Sequence, residues 1–283
     1  MKEKFSIPLI KEHRVLKLIE ALQCIDEYPY NREKQRNCIL KLYPNKVEKS
    51  VFRGMIIPTL RYLGLIVGFG KAIRLSINGK IIVESGKLGG REAIRVASIV
   101  FLEMDKRTFG FIENLKKNQN IAKEDFIDLI SQKLEGVQKK RKEERINRWL
   151  RILEGCKLIE FKGRRLIVLN KKNCEQAEKE LNAKSKRRLF KKILFEEYTS
   201  LPLYETAGIV DIPLLRQLVA ITYYKKHNMI LTESQFDELL REFPLVTDDY
   251  VISLGQPMGA EEKLFRYKGS YYRTLSITFF KKR

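Results

Sequence analysis

One local pattern occurs twice in this chain and constrains its fold more than any other feature. In each copy a helical segment ends at a glycine and runs into a short β-hairpin, first at Gly64 and again at Gly155. The hairpins are predicted at 66–83 and 158–169, because β-branched residues there surround basic turns that contain glycine. Glycine tolerates the left-handed backbone at which many helices end, so both glycines are predicted C-caps. The pattern indicates small helical modules, each closed by a hairpin.

Helices are predicted before each hairpin from the spacing of apolar residues. In the first copy they cover 11–25, 32–42 and 46–57, with Asn31 and Asn45 as N-caps of the last two and Pro58 kinking or restarting the helix. In the second copy they cover 121–134 and 137–153. The side chains expected to face the core include Leu16, Ile19, Leu22, Cys24, Val47, Val51, Met55 and Trp149.

A third module of the same kind is predicted towards the end of the chain. A helical region covers 174–200, and a helix runs from Asp211 to about Lys226 with Pro213 in its first turn. Another helix opens at Thr232 and ends before Pro244, and strands follow in 250–280. Lys268-Gly269 is a turn signal between these strands, as Asn78-Gly79 is in the first hairpin.

The predicted fold class is mainly α with small β-hairpins (α+β): tandem winged helix-turn-helix subdomains with a helical linking region. Residues 1–87 are predicted to form a winged-helix DNA-reading subdomain. Residues 88–172 are predicted as a helical connector plus a winged-helix-like unit, which serves either as a linking subdomain or as a second reader. Residues 173–283 are predicted as a C-terminal winged-helix-like subdomain.

The charge of the chain favours a nucleic-acid partner. Lysine and arginine number 56 against 35 acidic residues, a net charge of +21, and the basic residues are clustered. A solvated, merely solubilising surface is the competing interpretation. No apolar run is long enough to span a bilayer and no secretory segment follows Met1, so we expect no membrane partner and a cytoplasmic location.

Motifs that carry chemistry are weak in this sequence. The four cysteines form no CxxC pair, and Cys24 and Cys38 are expected to be buried thiols in a reducing compartment. Two nuclease-like acidic patterns, Glu160-Phe161-Lys162 and Asp248-Asp249 with Glu261-Glu262-Lys263, are expected by chance in a chain with 32% charged residues. We therefore expect no catalytic residue, no metal ligand and no cofactor in this chain.

Most of the candidate DNA-binding residues lie at the start of the helix before a hairpin, where a winged helix enters the major groove, in the hairpins, where phosphates are contacted, or in an N-terminal arm. Arg32 opens the predicted helix 32–42, and Arg187 and Arg188 belong to a basic run in the helical region 174–200. Lys80 and Arg148 are further members of the first wing and the second helix. The candidates are Lys2, Lys4, Arg32, Asn45, Lys46, Lys49, Ser50, Arg53, Lys71, Arg74, Lys139, Arg141, Lys142, Arg145, Lys162, Arg164, Arg165, Arg187 and Arg188.

The stretch from Ser50 to Ile66, SVFRGMIIPTLRYLGLI, resembles the first DNA-reading winged helix of type IIS restriction endonucleases. The resemblance implies a target-recognition part that binds a short asymmetric site in double-stranded DNA as a monomer. It implies two winged-helix subdomains joined by a helical linking subdomain, with the groove-reading helix at Asn45 to Arg53. A separate Mg²⁺-dependent nuclease domain would follow Arg283.

Three other functions are compatible with the same residues. A winged-helix transcription regulator would dimerise on a palindrome. A complete small Mg²⁺-dependent nuclease would use Asp249, Glu261 and Lys263. An RNA-binding protein would prefer RNA to duplex DNA.

Overall fold

A computed structural model of the chain describes residues 7–68, 73–118, 120–134, 138–163, 165–182, 184–202, 207–257 and 264–280. The described residues are mainly helical, with small antiparallel sheets, which confirms the broad fold class. The chain divides into two compact units, Met1–Leu181 and Asn182–Arg283. This division does not test the predicted three-part boundaries, which stay a prediction. The two units are described separately below.

The first unit begins with a group of helices that we call the first module, residues 15–86. A second group, residues 111–169, is the second module; one long helix comes between them and another helix follows. The elements are α1 (Val15–Glu27), α2 (Arg32–Lys41), α3 (Glu48–Val51), a π-helical segment (Phe52–Ile56), α4 (Ile57–Tyr62), β1 (Ile66–Val67), β2 (Arg74–Leu75), α5 (Ile77–Gly86), α6 (Gly90–Thr108), α7 (Phe111–Lys117), β3 (Ile121–Ala122), α8 (Lys123–Ser131), α9 (Lys139–Gly155), β4 (Ile159–Lys162), β5 (Leu166–Leu169) and α10 (Lys171–Glu180).

The helix ends of the first module show which caps the sequence predicted correctly. The Asn31 side chain accepts a hydrogen bond from the Lys34 amide at the start of α2, as expected. Gly64 has a φ of 66° and ends α4, also as expected. The predicted cap at Asn45 is wrong, because the first helical bond of α3 is accepted by the carbonyl of Val47.

The segment predicted as one helix over 46–57 is divided into α3, a π-helical segment and α4. The amide of Ile57 donates to the carbonyl of Phe52, five residues earlier, and Pro58 lies in the first turn of α4. Because Pro58 has no amide hydrogen, an uninterrupted α-helix would lose a bond here. The wider turn absorbs that loss and ends the first helix early. π-Helical turns of this kind are frequent at functional sites.

The first predicted hairpin is correct only in its first half. Ile66 pairs with Leu75 and Val67 with Arg74, but the chain from Ile77 onwards forms α5 instead of a strand. The Ser76 hydroxyl accepts a hydrogen bond from the Gly79 amide at 3.1 Å, so Ser76 caps a helix where a turn was predicted. A short apolar run is compatible with either structure, and the cap decides between them.

The expectation of two thiols at Cys24 and Cys38 is wrong, because these residues form a disulfide between α1 and α2. Cys24 is 4% exposed, so this end of the bridge lies in the core of the first module. Cys156 and Cys174 are free and buried. Disulfides are rare in cytosolic proteins, so the reasoning that led to a reducing compartment loses its support.

The second module contains a three-stranded antiparallel sheet with the order β3-β5-β4. Trp149 of α9 is fully buried, as expected, and its Nε1 donates to Asp105 Oδ1 at 2.8 Å. Gly155 is not the predicted left-handed cap; that conformation occurs at Lys157, with a φ of 58°. Gly155 instead permits close packing, since a Cβ there would lie 2.7 Å from Val15 Cγ2.

The second unit forms a group of elements that we call the third module, residues 184–279. Three predictions are confirmed here: the helix with Pro213 in its first turn, the capped helix that begins after Thr232, and the strands after 250. The region predicted as helical over 174–200 forms two helices. The elements are α11 (Lys184–Thr199), β6 (Val210–Asp211), α12 (Ile212–His227), α13 (Glu233–Arg241), β7 (Tyr250–Gly255), β8 (Phe265–Tyr267), β9 (Ser270–Tyr272) and β10 (Thr274–Phe279).

The second and third modules share one arrangement of strands. In each, a two-residue strand is followed by two helices and then by two longer strands. The sheet orders are β3-β5-β4 and β6-β10-β7, so the last strand lies in the middle both times. In the third module, the extra hairpin β8–β9 is inserted between the two longer strands.

Candidate nucleic-acid interface

Three arginines line an open groove on the first module. The groove has a volume of about 580 Å³ and lies between the start of α2 and the π-helical segment. We call it the arginine groove. It is lined by Pro29, Tyr30, Asn31, Arg32, Glu33, Arg36 and Arg53.

The local packing explains why these arginines point outwards. Gln35 is fully buried on the opposite side of α2, and its Nε2 donates to the carbonyls of Tyr28 and Ile73 at 2.9 and 3.0 Å. Phe52 is also buried, whereas its neighbour Arg53 is exposed. The two buried residues therefore orient the helix surfaces that meet at the groove.

The electrostatics of the arginine groove favour an anion. Among the lining residues that the structure describes, one carboxylate, that of Glu33, stands against three guanidinium groups. The guanidinium of Arg32 lies 6.0 Å from the centre of the Phe52 ring, and in the described part of the chain Arg53 has no hydrogen bond or ion pair. Free guanidinium groups bind phosphate oxygens in a bidentate manner. The groove is therefore suited to a phosphate-bearing ligand.

Tyr30 forms part of the rim of the groove in an uncommon conformation. Its φ is 63°, in the left-handed region that an aromatic residue seldom adopts, and its side chain is 59% exposed. Such strain persists where surrounding structure imposes it and concentrates at functional sites. Neither Tyr30 nor Arg36 is among the predicted DNA-binding residues; the spacing of Arg36, four residues after Arg32, was the available signal.

The start of the predicted groove-reading helix is exposed. Asn45, Lys46 and Ser50 are all exposed, as predicted for residues that contact a partner, and the Lys49 side chain lies outside the described residues. The Lys46 ammonium lies 5.6 Å from the centre of the Tyr43 ring. Val51 and Met55 are buried as expected, but Val47 is 75% exposed, so its predicted core position is wrong. Leu16 of α1, also predicted in the core, is 54% exposed.

The hairpin predicted as the first wing contributes little to the described surface. Arg74 is half-buried on β2, and Lys71 lies outside the described residues. Lys80 is not in a wing: it lies in α5, where its Nζ forms an ion pair with Asp26 at 2.7 Å. The N-terminal candidates Lys2 and Lys4 also lie outside the described residues.

The basic stripe of α9 is divided between exposed and internally bonded residues. Lys139 and Arg141 are exposed. Lys142 Nζ donates to the carbonyls of Ser131 and Leu134 at the end of α8. Further along the helix, two guanidinium groups bind the backbone of residues 7–14, which we call the N-terminal segment.

The contacts with the N-terminal segment are short. Arg145 donates to the carbonyl of Ile7 at 2.7 Å, and Arg148 donates to the carbonyl of Lys11 at 2.9 Å. In each case one terminal nitrogen of the guanidinium group binds a backbone carbonyl, which fixes the direction of the side chain and leaves its other N–H donors to further partners. Arg145 and Arg148 are half-buried, so this face of α9 is packed in part against the N-terminal segment.

The second hairpin presents two of its three predicted cations. Lys162 and Arg165 are exposed, and Arg164 lies outside the described residues. The hairpin is held to α9 by Arg151, whose guanidinium lies 4.7 Å from the centre of the Phe161 ring.

In the third module the predicted cations lie on α11. Arg187 and Arg188 are both exposed, and Arg187 forms an ion pair with Glu242. The helix before the long strands, α13, carries Glu233, Asp237 and Glu238. Its sequence is unlike the basic third helices of the other two modules.

Comparison of the chain with protein-family models, with curated proteins and with solved structures finds no match. The site must therefore be interpreted from its own chemistry.

The described residues contain no group of three or more His, Cys, Asp or Glu side chains placed to hold a metal ion. Of the acidic pattern proposed for a nuclease, Asp249 is exposed, whereas Glu261 and Lys263 lie outside the described residues. The other pattern, Glu160 to Lys162, lies on β4. Among the described helices, none has both the length and the apolar character needed to cross a bilayer.

Proposed function

We propose that this chain binds double-stranded DNA sequence-specifically and that the first module is its main reading module. The arginine groove carries the proposal, because Arg32, Arg36 and Arg53 converge there from two elements beside the exposed start of the reading helix. A phosphate held in the groove by Arg32 and Arg36 would place that helix against the adjacent bases, with Arg53 as the residue that contacts a base. Phosphate contacts of this kind fix register, whereas base contacts specify the sequence.

The order of elements supports a winged-helix interpretation of all three modules. In the second and third, a short strand, two helices and a hairpin produce the same sheet order, with the last strand central. In the first, the helices α1, α2 and α3 to α4 precede the β1–β2 hairpin. A winged helix presents the start of its third helix to the major groove.

We further propose that the second module links the other two and does not read bases itself. The bonds from Arg145 and Arg148 to the N-terminal segment support this role, since they hold two cations of α9 against the backbone of the protein itself. Exposed Lys139, Arg141, Lys162 and Arg165 would then add contacts with phosphates that do not depend on sequence.

The biological setting that we propose is the target-recognition part of a type IIS restriction endonuclease. It rests on the likeness of residues 50–66 to the first reading module of that family. The chain would bind a short asymmetric site as a monomer, and an Mg²⁺-dependent nuclease domain would lie outside it. Sedimentation of the complex with one duplex distinguishes this arrangement from a dimeric regulator on a palindrome.

The decisive experiment is selection of bound duplexes from a random pool, followed by binding titrations with the selected and a scrambled duplex. We expect Arg53→Ala to weaken binding to the selected duplex by about tenfold or more and to change binding to the scrambled duplex little. Arg107→Ala is the matched control, because Arg107 is exposed on α6 outside the groove. A pool that yields no consensus, or an Arg53→Ala loss that is equal on both duplexes, would overturn the proposal.

A further inference from the structure

Val47 is an apolar residue at a position where the fold gains nothing from it. Its side chain is 75% exposed, and its carbonyl accepts from the amides of Ser50 and Val51, which makes Val47 the N-cap of α3. Ser, Thr, Asp and Asn are favoured at an N-cap because their side chains accept a bond from the helix amides, and valine has no such acceptor. Both the exposure and the missing cap are unfavourable for the isolated protein.

The described side chains near Val47 are polar or cationic, and in the sequence Glu48 and Lys49 add one charge of each sign. Lys46 precedes it, and Ser50 and Arg53 follow on the exposed side of the same segment. The Ser50 hydroxyl donates a hydrogen bond to the carbonyl of Val47 at 2.8 Å, which further fixes the backbone at Val47. A partner that contacts Val47 must therefore combine a small apolar group with nearby negative charge.

We infer that Val47 reads the 5-methyl group of a thymine in the target, an inference that rests on the proposed DNA binding by the first module. In the major groove the thymine methyl is the apolar feature that base edges present, and it is surrounded by hydrogen-bonding groups and phosphates. The start of a reading helix is the part that meets base edges. An apolar protein partner fits less well, because the cations around Val47 would have to be desolvated against it.

The test uses uracil, which lacks only the methyl group of thymine. The thymines of the selected duplex are replaced by uracil one at a time, and the dissociation constants of the wild type and of Val47→Ala are measured with each duplex. We expect one position at which uracil weakens wild-type binding by roughly fourfold, the effect of about one buried methyl group. At that position Val47→Ala, which keeps only one methyl group, should prefer thymine over uracil less than the wild type does.

Val246→Ala is the matched control, because Val246 is 71% exposed and lies in the other unit. It should respond to every uracil as the wild type does, and thermal unfolding should show that both variants are folded. If the selected duplex is bound but each uracil weakens the wild type and Val47→Ala equally, the inference is wrong and the proposed function stands. If selection yields no consensus, the proposed function fails and this inference fails with it.

Discussion

Helix α2 of the first module and helix α9 of the second are both rich in lysine and arginine, yet they are held in different ways. Within α2, which the structure describes in full, Gln35 and Ile39 are the buried residues, and the disulfide from Cys38 adds a covalent attachment to α1. In α9 the buried set is larger and apolar: Ile146, Trp149, Leu150, Ile152 and Leu153. Apolar burial therefore anchors α9 much more firmly than α2.

The cations of the two helices differ in the same way. Arg32 and Arg36 line an open groove, whereas Arg145 and Arg148 are bonded to backbone carbonyls of the N-terminal segment. A basic stripe in a sequence does not show whether a neighbouring segment will supply carbonyl oxygens to it. A weakly anchored helix whose cations line an open groove is therefore a better candidate for a reading surface than a firmly anchored helix whose cations bind backbone carbonyls.

The largest effect is expected from opening the disulfide of the first module. Cys38→Ser removes a bridge that spans 14 residues, and a loop of this length is worth about 3 kcal/mol of unfolding free energy in the chain-entropy account. Because α2 has few other anchors, binding to DNA through the arginine groove should weaken as well. Urea unfolding of the wild type with and without reductant, compared with Cys38→Ser, measures the effect.

The controls for this prediction are reductant itself and the second module. Reductant should lower the unfolding midpoint of the wild type and leave that of Cys38→Ser unchanged. Cys156→Ala, which alters a free buried cysteine near the end of α9, should keep the full response to reductant. Four titratable thiols in the unfolded wild type, without reductant, would contradict the bridge.

The next effect concerns Glu12, which ties the N-terminal segment to the first module. Burial alone would raise the pKa of Glu12, but hydrogen bonds from Arg14 and from the Tyr43 hydroxyl lower it to about 2. A pKa lower in the folded than in the unfolded chain stabilises the fold above about pH 4.5 and loses that effect as pH falls towards 2. The contribution is roughly 2 to 3 kcal/mol.

Unfolding of the wild type and of Glu12→Gln at several pH values measures this contribution. The difference in unfolding free energy between them should be constant above about pH 5 and should shrink steadily below pH 4. Glu20→Gln is the control, since Glu20 is a more exposed partner of Lys17 on α1. A difference for Glu12→Gln that does not depend on pH would show that the carboxylate is not held in this way.

A smaller effect distinguishes Arg145 from Arg53. Arg145→Ala breaks a charged hydrogen bond to the carbonyl of Ile7 and should lower the unfolding free energy by about 2 kcal/mol. Arg53→Ala removes an exposed side chain and should leave stability within about 0.5 kcal/mol of the wild type. Thermal unfolding and DNA titration of both variants compare the loss of stability with the loss of DNA affinity for each arginine. If Arg145→Ala is as stable as the wild type and loses base specificity, the second module is a reader after all.

The local elements were more predictable from the sequence than their partners were. The hairpin at 158–169, α9, the proline-initiated α12 and the glycine cap at Gly64 follow from short-range rules, and the structure bears them out. The failures are of two kinds. Gly155 serves the approach of Val15, which is distant in sequence, whereas at Ser76 a local helix cap prevailed over the strand pattern.

The candidate site shows the same limit. Arg32 and Arg53 were identified by type, but they lie 21 positions apart, and only the folded chain brings them to one groove with Tyr30. The disulfide was missed for a similar reason. Cys24 lies on the buried side of a helix, and a buried thiol and a half-buried disulfide produce the same apolar pattern.

The smallest expected effect, and the one that separates stability from function most cleanly, is that of Val47→Ser. Serine at this N-cap can accept a hydrogen bond from the first turn of α3, so the unfolding free energy should rise by about 1 kcal/mol. The same change removes the apolar group that we assign to a thymine, so binding to the selected duplex should weaken while stability improves. Thermal unfolding and titration with the selected duplex test the two halves independently. If Val47 served the fold, Val47→Ser would lower both the unfolding free energy and the affinity for the selected duplex. If Val47 is kept for its partner, the unfolding free energy should rise while the affinity falls.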